Sequence, residues 1–135
     1  MKSLLIALSS SFLLSVPGAS ALAKDGDPVA PPETVLLEGL KLIRDNKWDE
    51  WMSKHCSTEK LCLNENSKKS LRTYNLPATS RRAKNCVKAD GTIKIDHIDE
   101  IDATEKKFFV QCEETAMPVP FRLGLEKGRW VFRSI

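Results

Sequence analysis

Apolar residues recur at helical spacing in the first half of the chain and alternate in the second. From Thr34, the apolar residues fall at Leu36, Leu37, Leu40, Ile43, Trp48, Trp51 and Met52, one slightly interrupted helical face. Pro32 suits a first helical position, and Glu33 in the first turn complements the helix dipole. Asn46 can cap a fresh turn, with Asp49 three residues on, so the pattern predicts one long helix kinked at Asp45–Lys47 with both tryptophans inward. Ser57–Ala83 is the least periodic region. Ser57 can cap a turn, although Lys60 stands where a capping box needs a glutamate. One short helix is predicted around NENSKKSLRTYNLP, with Leu71 and Tyr74 inward and a stop before Pro77.

Strand patterning then takes over. Asp90-Gly91 is a turn signal. Beyond it, TIKIDHIDEID alternates at Ile93 and Ile95, then slips in parity at Ile98 and again at Ile101. Bulges are needed to keep those side chains on one face, and bulges bend a strand, so this one should be long and sharply curved. KKFFVQCEE alternates cleanly, with Phe108, Val110 and Cys112 on one side. Pro118 and Pro120 cannot donate to a ladder, so they mark the bend at which the next strand starts towards Phe121. A two-residue turn at Lys127-Gly128 sets Leu125 opposite Trp130 and Leu123 opposite Phe132, on an inner face.

The N-terminus reads as an export signal: Lys2, an apolar stretch Leu4–Val16, and a small-x-small site at Ala21-Leu22-Ala23. Cleavage after Ala23 is expected, against the alternative of a buried N-terminal helix. The apolar run is too short for a convincing transmembrane span, and no later stretch is apolar enough. No cysteine follows the cleavage site, so lipid attachment there is not expected. Lys24–Pro32 reads as a flexible leader, and 33–135 as a single domain. Removing residues 1–23 takes away only Lys2 among the charged residues, leaving 20 Lys and Arg against 18 Asp and Glu.

A net charge of +2 gives no reason to expect nucleic acid as a partner. The distribution is less even: Lys54–Lys94 holds ten basic and three acidic residues, and Asp96–Glu114 holds seven acidic and two basic. Either the two segments face each other or solvent, or the basic one serves an anionic partner in the cell envelope. Cys56, Cys62, Cys86 and Cys112 all lie in the exported part. An even count in an oxidising compartment points to two disulfides with three connectivities, of which Cys56–Cys62 with Cys86–Cys112 is preferred. Zinc is the competing reading, weakened by the spacing and by His55 as the only nearby imidazole.

Helices followed by antiparallel strands give an α+β order. Three segments narrow it: PPETVLLEGLKLIRDNKWDEWM with its Asn-Lys-Trp-Asp break, the bulged IKIDHIDEID, and the closing PVPFRLGLEKGRWVFRSI. Together, from about Glu33 to Ile135, they resemble the nuclear transport factor 2-like superfamily, and in particular its small exported bacterial members. That resemblance implies a strongly curved sheet wrapping the helices around a cone-like cavity. It also implies either a binding module or an isomerase, dehydratase or cyclase, since fold alone does not fix activity.

The family's enzymes use an Asp or an Asp–His pair inside the cone. The comparable cluster here is Asp96, His97 and Asp99, with His97 on the face of Ile93 and Ile95 by simple alternation. Adjacent strand residues point oppositely, so Asp96 and His97 cannot act together unless a bulge turns one of them. His55 adjoins Cys56, but a disulfide would consume the thiolate of a Cys–His nucleophile. Hydrolase, phosphate-loop and metal signatures are absent from the sequence.

The expected function is therefore an exported, non-catalytic binding or accessory module of the bacterial envelope, without cofactor or metal. Its partner would be a small apolar ligand or an envelope protein, and a homodimer is one assembly open to it. Trp48, Trp51, Phe108, Val110 and Trp130 are the candidate ligand lining. The alternative is a small-molecule isomerase or cyclase acting through His97 and an Asp.

Overall fold

The computed structural model describes residues 29–135, so the export signal and most of the leader lie outside the described residues. Helix α1 runs over Pro32–Arg44, with Pro32 in its first turn, Glu33 near its N-terminus, and Lys41 and Arg44 in its last turn. Its buried residues Val35, Leu36, Gly39, Leu40 and Ile43 form a single stripe. The predicted long helix is in fact two. Asn46 adopts φ 60°, in the left-handed region. Its N–H donates to the Ile43 carbonyl (3.1 Å), and Lys47 N–H donates to that of Leu42 (2.9 Å). That paired closure is a Schellman ending, so Asn46 terminates α1 instead of capping the next helix. The Ser80 hydroxyl then donates to the Asn46 side-chain oxygen (2.8 Å), tying this turn to a later helix.

Helix α2 covers Trp48–His55, buries Trp51, Met52 and His55, and has no side-chain N-cap. Beyond it, the Ser57 hydroxyl accepts from Glu59 N–H (3.2 Å) and Lys60 N–H (2.9 Å), so Ser57 caps its turn without a glutamate partner. Helix α3 is short, Glu65–Ser70, capped by Asn64 accepting from Ser67 N–H. It runs through a π-helical turn, Leu71–Asn75, into α4, Leu76–Cys86.

Here two expectations fail. Pro77 sits where the π-turn passes into α4, and the helix runs on through it, so it does not stop the chain. Tyr74 points outward and is 73% exposed. The π-turn closes an i→i+5 bond from Leu76 N–H to the Leu71 carbonyl. It brings residues five apart nearly into line, and Leu71 and Leu76 are the two that become buried.

Four strands follow in chain order as an antiparallel meander: β1 Lys94–Asp102, β2 Glu105–Gln111, β3 Val119–Glu126 and β4 Arg129–Ser134. The architecture is α+β, with the helices preceding the sheet. Register shifts fall at Ile95/His97 and Glu100/Asp102; the first brings Ile98 opposite Phe108, on the side of Ile95, whereas Ile101 is the unpaired residue of the second and is 46% exposed. The closing hairpin pairs Leu123 with Phe132 and Leu125 with Trp130. Its turn residues Lys127 and Gly128 both have positive φ, 54° and 78°. Pro120 pairs with Phe109 on β2, and on the other side the ladder to β4 reaches only Arg122–Ser134. The backbone nitrogen of Pro120 thus faces a side where no strand needs a donor.

Helices α1 and α2 pack on β4, and α1 also packs on α4. Trp51 meets Phe132 edge-on with centroids 5.6 Å apart, and Phe132 meets Phe121 likewise at 6.4 Å. Two disulfides, Cys56–Cys62 and Cys86–Cys112, take up all four cysteines. The first staples the turn after α2, where Ser57 N–H donates to the Phe132 carbonyl (2.9 Å) alongside β4. The second ties the end of α4 to the residue after β2.

Candidate functional site

The candidate ligand residues separate into two groups. Trp51, Phe108 and Val110 have no exposed surface and are packed core. Trp48 and Trp130 are half-buried at its edge. Trp48 Nε1 donates to the Ile43 carbonyl (3.3 Å), and Lys106 Nζ lies 5.8 Å from the Trp130 ring centre.

His97 and Asp96 do come together. Asp96 is the extra residue of the first β1 bulge, between Ile95 paired with Val110 and His97 paired with Phe109. His97 Nδ1 lies 2.7 Å from an Asp96 carboxylate oxygen, and Gln111 Nε2 donates to the other (3.4 Å). The bulge also corrects the face assignment. His97 does not share the side of Ile95. It stacks on Phe109 (4.1 Å, 12°), away from the buried Phe108 and Val110, and its side chain is 49% exposed. Asp99 is exposed on the same strand, opposite Lys107.

A groove of about 300 Å³ between α1 and α2 was not foreseen from the sequence. Glu38, Lys41 and Leu42 line it from α1, Asp45 and Lys47 from the turn after it, and Glu50, Lys54 and His55 from α2. Helical spacing explains the grouping: Glu38, Lys41 and Asp45, like Glu50 and Lys54, are three or four residues apart. A hydrogen bond from Arg44 (2.9 Å) holds the Asp45 carboxyl below its ordinary range. One from Lys54 (2.8 Å) does the same for the exposed Glu50.

His55 is the buried member, 8% exposed. Desolvation lowers its pKa, against the opposing pull of Glu38, whose carboxylate stands 3.6 Å from Nε2. The imidazole is therefore held towards its neutral form. Its neighbour Cys56 is in a disulfide, so no Cys–His nucleophile exists here. His55 was visible in the sequence, but nothing local to it announced the groove, because half the lining comes from another helix.

A second groove of about 200 Å³ lies beside Cys86–Cys112, between Lys88, Lys94, Gln111 and Glu113. Among the described residues, no group of three or more His, Cys, Asp or Glu could hold a metal ion. No described helix is long and apolar enough to cross a membrane. The chain matches no protein-family model, no curated protein and no solved structure.

Proposed function

We propose that this is an exported, non-catalytic binding or accessory module of the cell envelope, built on a cone-like sheet of the nuclear transport factor 2-like kind. In this reading the cone is filled by its own side chains, and the protein acts through its surface on a partner. One observation carries the choice of partner over apolar ligand: Trp51, Phe108, Val110, Phe121 and Phe132 are all without exposed surface. In this reading these side chains fill the space that an apolar ligand would take. The surface groove beside His55 is lined by charged groups, which suits polar contacts. Two disulfides are compatible with an oxidising compartment, and the export signal read from residues 1–23 supplies the route.

The second reading, an isomerase or cyclase, draws on the preformed Asp96–His97 contact. It lacks an enclosing site, since the pair sits half-exposed on an open strand and general acid–base work needs a held substrate.

Native mass spectrometry of protein isolated from the periplasm tests the proposal. The expected mass is that of a chain starting at Lys24, oxidised at both disulfides, with no retained apolar ligand. A stoichiometric small apolar molecule would overturn the filled-cone reading. A soluble chain still carrying Met1 would overturn export.

A further inference from the structure

From Asn66 to Ala89 the chain carries seven Lys and Arg and no carboxylate. The fold gathers these charges on an outward face. Leu71, Leu76, Thr79, Ser80, Ala83 and Cys86 turn inward, leaving Lys69, Arg72, Tyr74, Arg81, Lys84 and Lys88 exposed. Lys68 pairs with Glu65 (3.4 Å) and Arg72 with Asp49 (2.7 Å). Among the described residues, Lys69, Arg81, Arg82, Lys84 and Lys88 form no ion pair. Among the described residues no carboxylate of β1 pairs with them: Glu100 pairs with Lys106, and Asp96 contacts His97.

We infer that the outer face of α3, the π-turn and α4 docks the protein on a surface of anionic phospholipid headgroups. Three features favour a lipid surface over an acidic peptide. Neither groove described above is lined by Tyr74, Arg81 or Lys84, so these side chains stand on the outward helix surface and not in either groove. The π-turn turns the amphipathic ring of Tyr74 outward beside these cations, and such rings sit well at headgroup level. The exposed carboxylates of β1, at Asp96, Asp99, Glu100 and Asp102, would be repelled by the same surface, which disfavours docking through that strand. The biological setting rests on the export reading above; the attraction itself does not.

The test is co-sedimentation of the mature, disulfide-bonded protein with vesicles of phosphatidylglycerol and phosphatidylcholine in equal parts, against phosphatidylcholine alone. The protein is expected to sediment only with the anionic vesicles. Binding should collapse as salt rises from about 0.1 M to about 1 M and the screening length falls from about 10 Å to about 3 Å. Each basic residue near such a surface is worth on the order of fivefold in affinity, so Arg81→Glu with Lys84→Glu should lose roughly twentyfold or more.

Both side chains are exposed, and circular dichroism with intact disulfides would verify the fold. Tyr74→Ser, at constant charge, should weaken binding a few-fold. Equal sedimentation with neutral vesicles would overturn the inference. So would indifference to the charge reversals, or self-association at low salt with no vesicle binding. None of these results touches export, which the N-terminal mass decides separately.

Discussion

Gly39 of α1 leaves its side-chain space to the ring of Phe132 on β4. A Cβ at position 39 would overlap Cε1 and Cζ of that ring and come within 3.2 Å of Trp51 Nε1. The glycine therefore sets how closely the helix approaches the sheet, although glycine inside a helix costs roughly 1 kcal/mol relative to alanine. Gly39→Ala is expected to destabilise the protein by about 1–3 kcal/mol through overpacking, despite the better helix former. Urea denaturation measures it, and a gain in stability would show that this contact does not set the spacing.

The two disulfides should differ in worth. Their sequence separations are 6 for Cys56–Cys62 and 26 for Cys86–Cys112. Chain-entropy reasoning gives about 2 kcal/mol for the short loop and about 3.5 kcal/mol for the longer one. Paired Cys→Ser variants, unfolded in urea, should rank in that order. The reverse order would mean that anchoring the Ser57 turn to β4 outweighs loop closure.

His55 should make stability depend on pH. Its folded-state pKa lies below the ordinary value of 6.5, with desolvation the main cause. The unfolded chain then binds more protons than the folded one as pH falls below 6.5, so stability is full above that value and declines beneath it. Lys54 and Arg129 add to the depression, while Glu38 and Glu50 oppose it. His55→Gln should flatten the unfolding free energy between pH 6.5 and the carboxylate range. An unchanged slope in that variant would assign the dependence elsewhere.

Among the tryptophans, Trp51 should matter most. It is fully buried, and Trp51→Ala is expected to cost about 3–5 kcal/mol. Trp48 and Trp130 are only half-buried, so their alanine variants should cost less. His97→Gln, at a half-exposed site, should stay within about 0.5 kcal/mol of the parent and leave the biological role intact. A complementation assay beside the denaturation series checks both, and a folded His97→Gln protein without function would favour the enzyme reading.

The sequence by itself determined whatever depends on neighbours along the chain. Alternation and the Lys127-Gly128 turn set Leu123 against Phe132, and slipping isoleucine parity pointed to bulges in β1. Pro32 and Glu33 marked the start of α1, since first-turn chemistry is local. Tertiary structure decided the rest. Which residue of β1 bulges depends on the ladder to β2, and making it Asp96 moved His97 to the outer side and joined it to its carboxylate. Asn46 could begin one helix or end another, and the left-handed ending is the one joined to Ser80 of α4. Tyr74 faces outward because burying both Leu71 and Leu76 calls for a π-turn, a demand made by the core they enter and invisible in the residues between them.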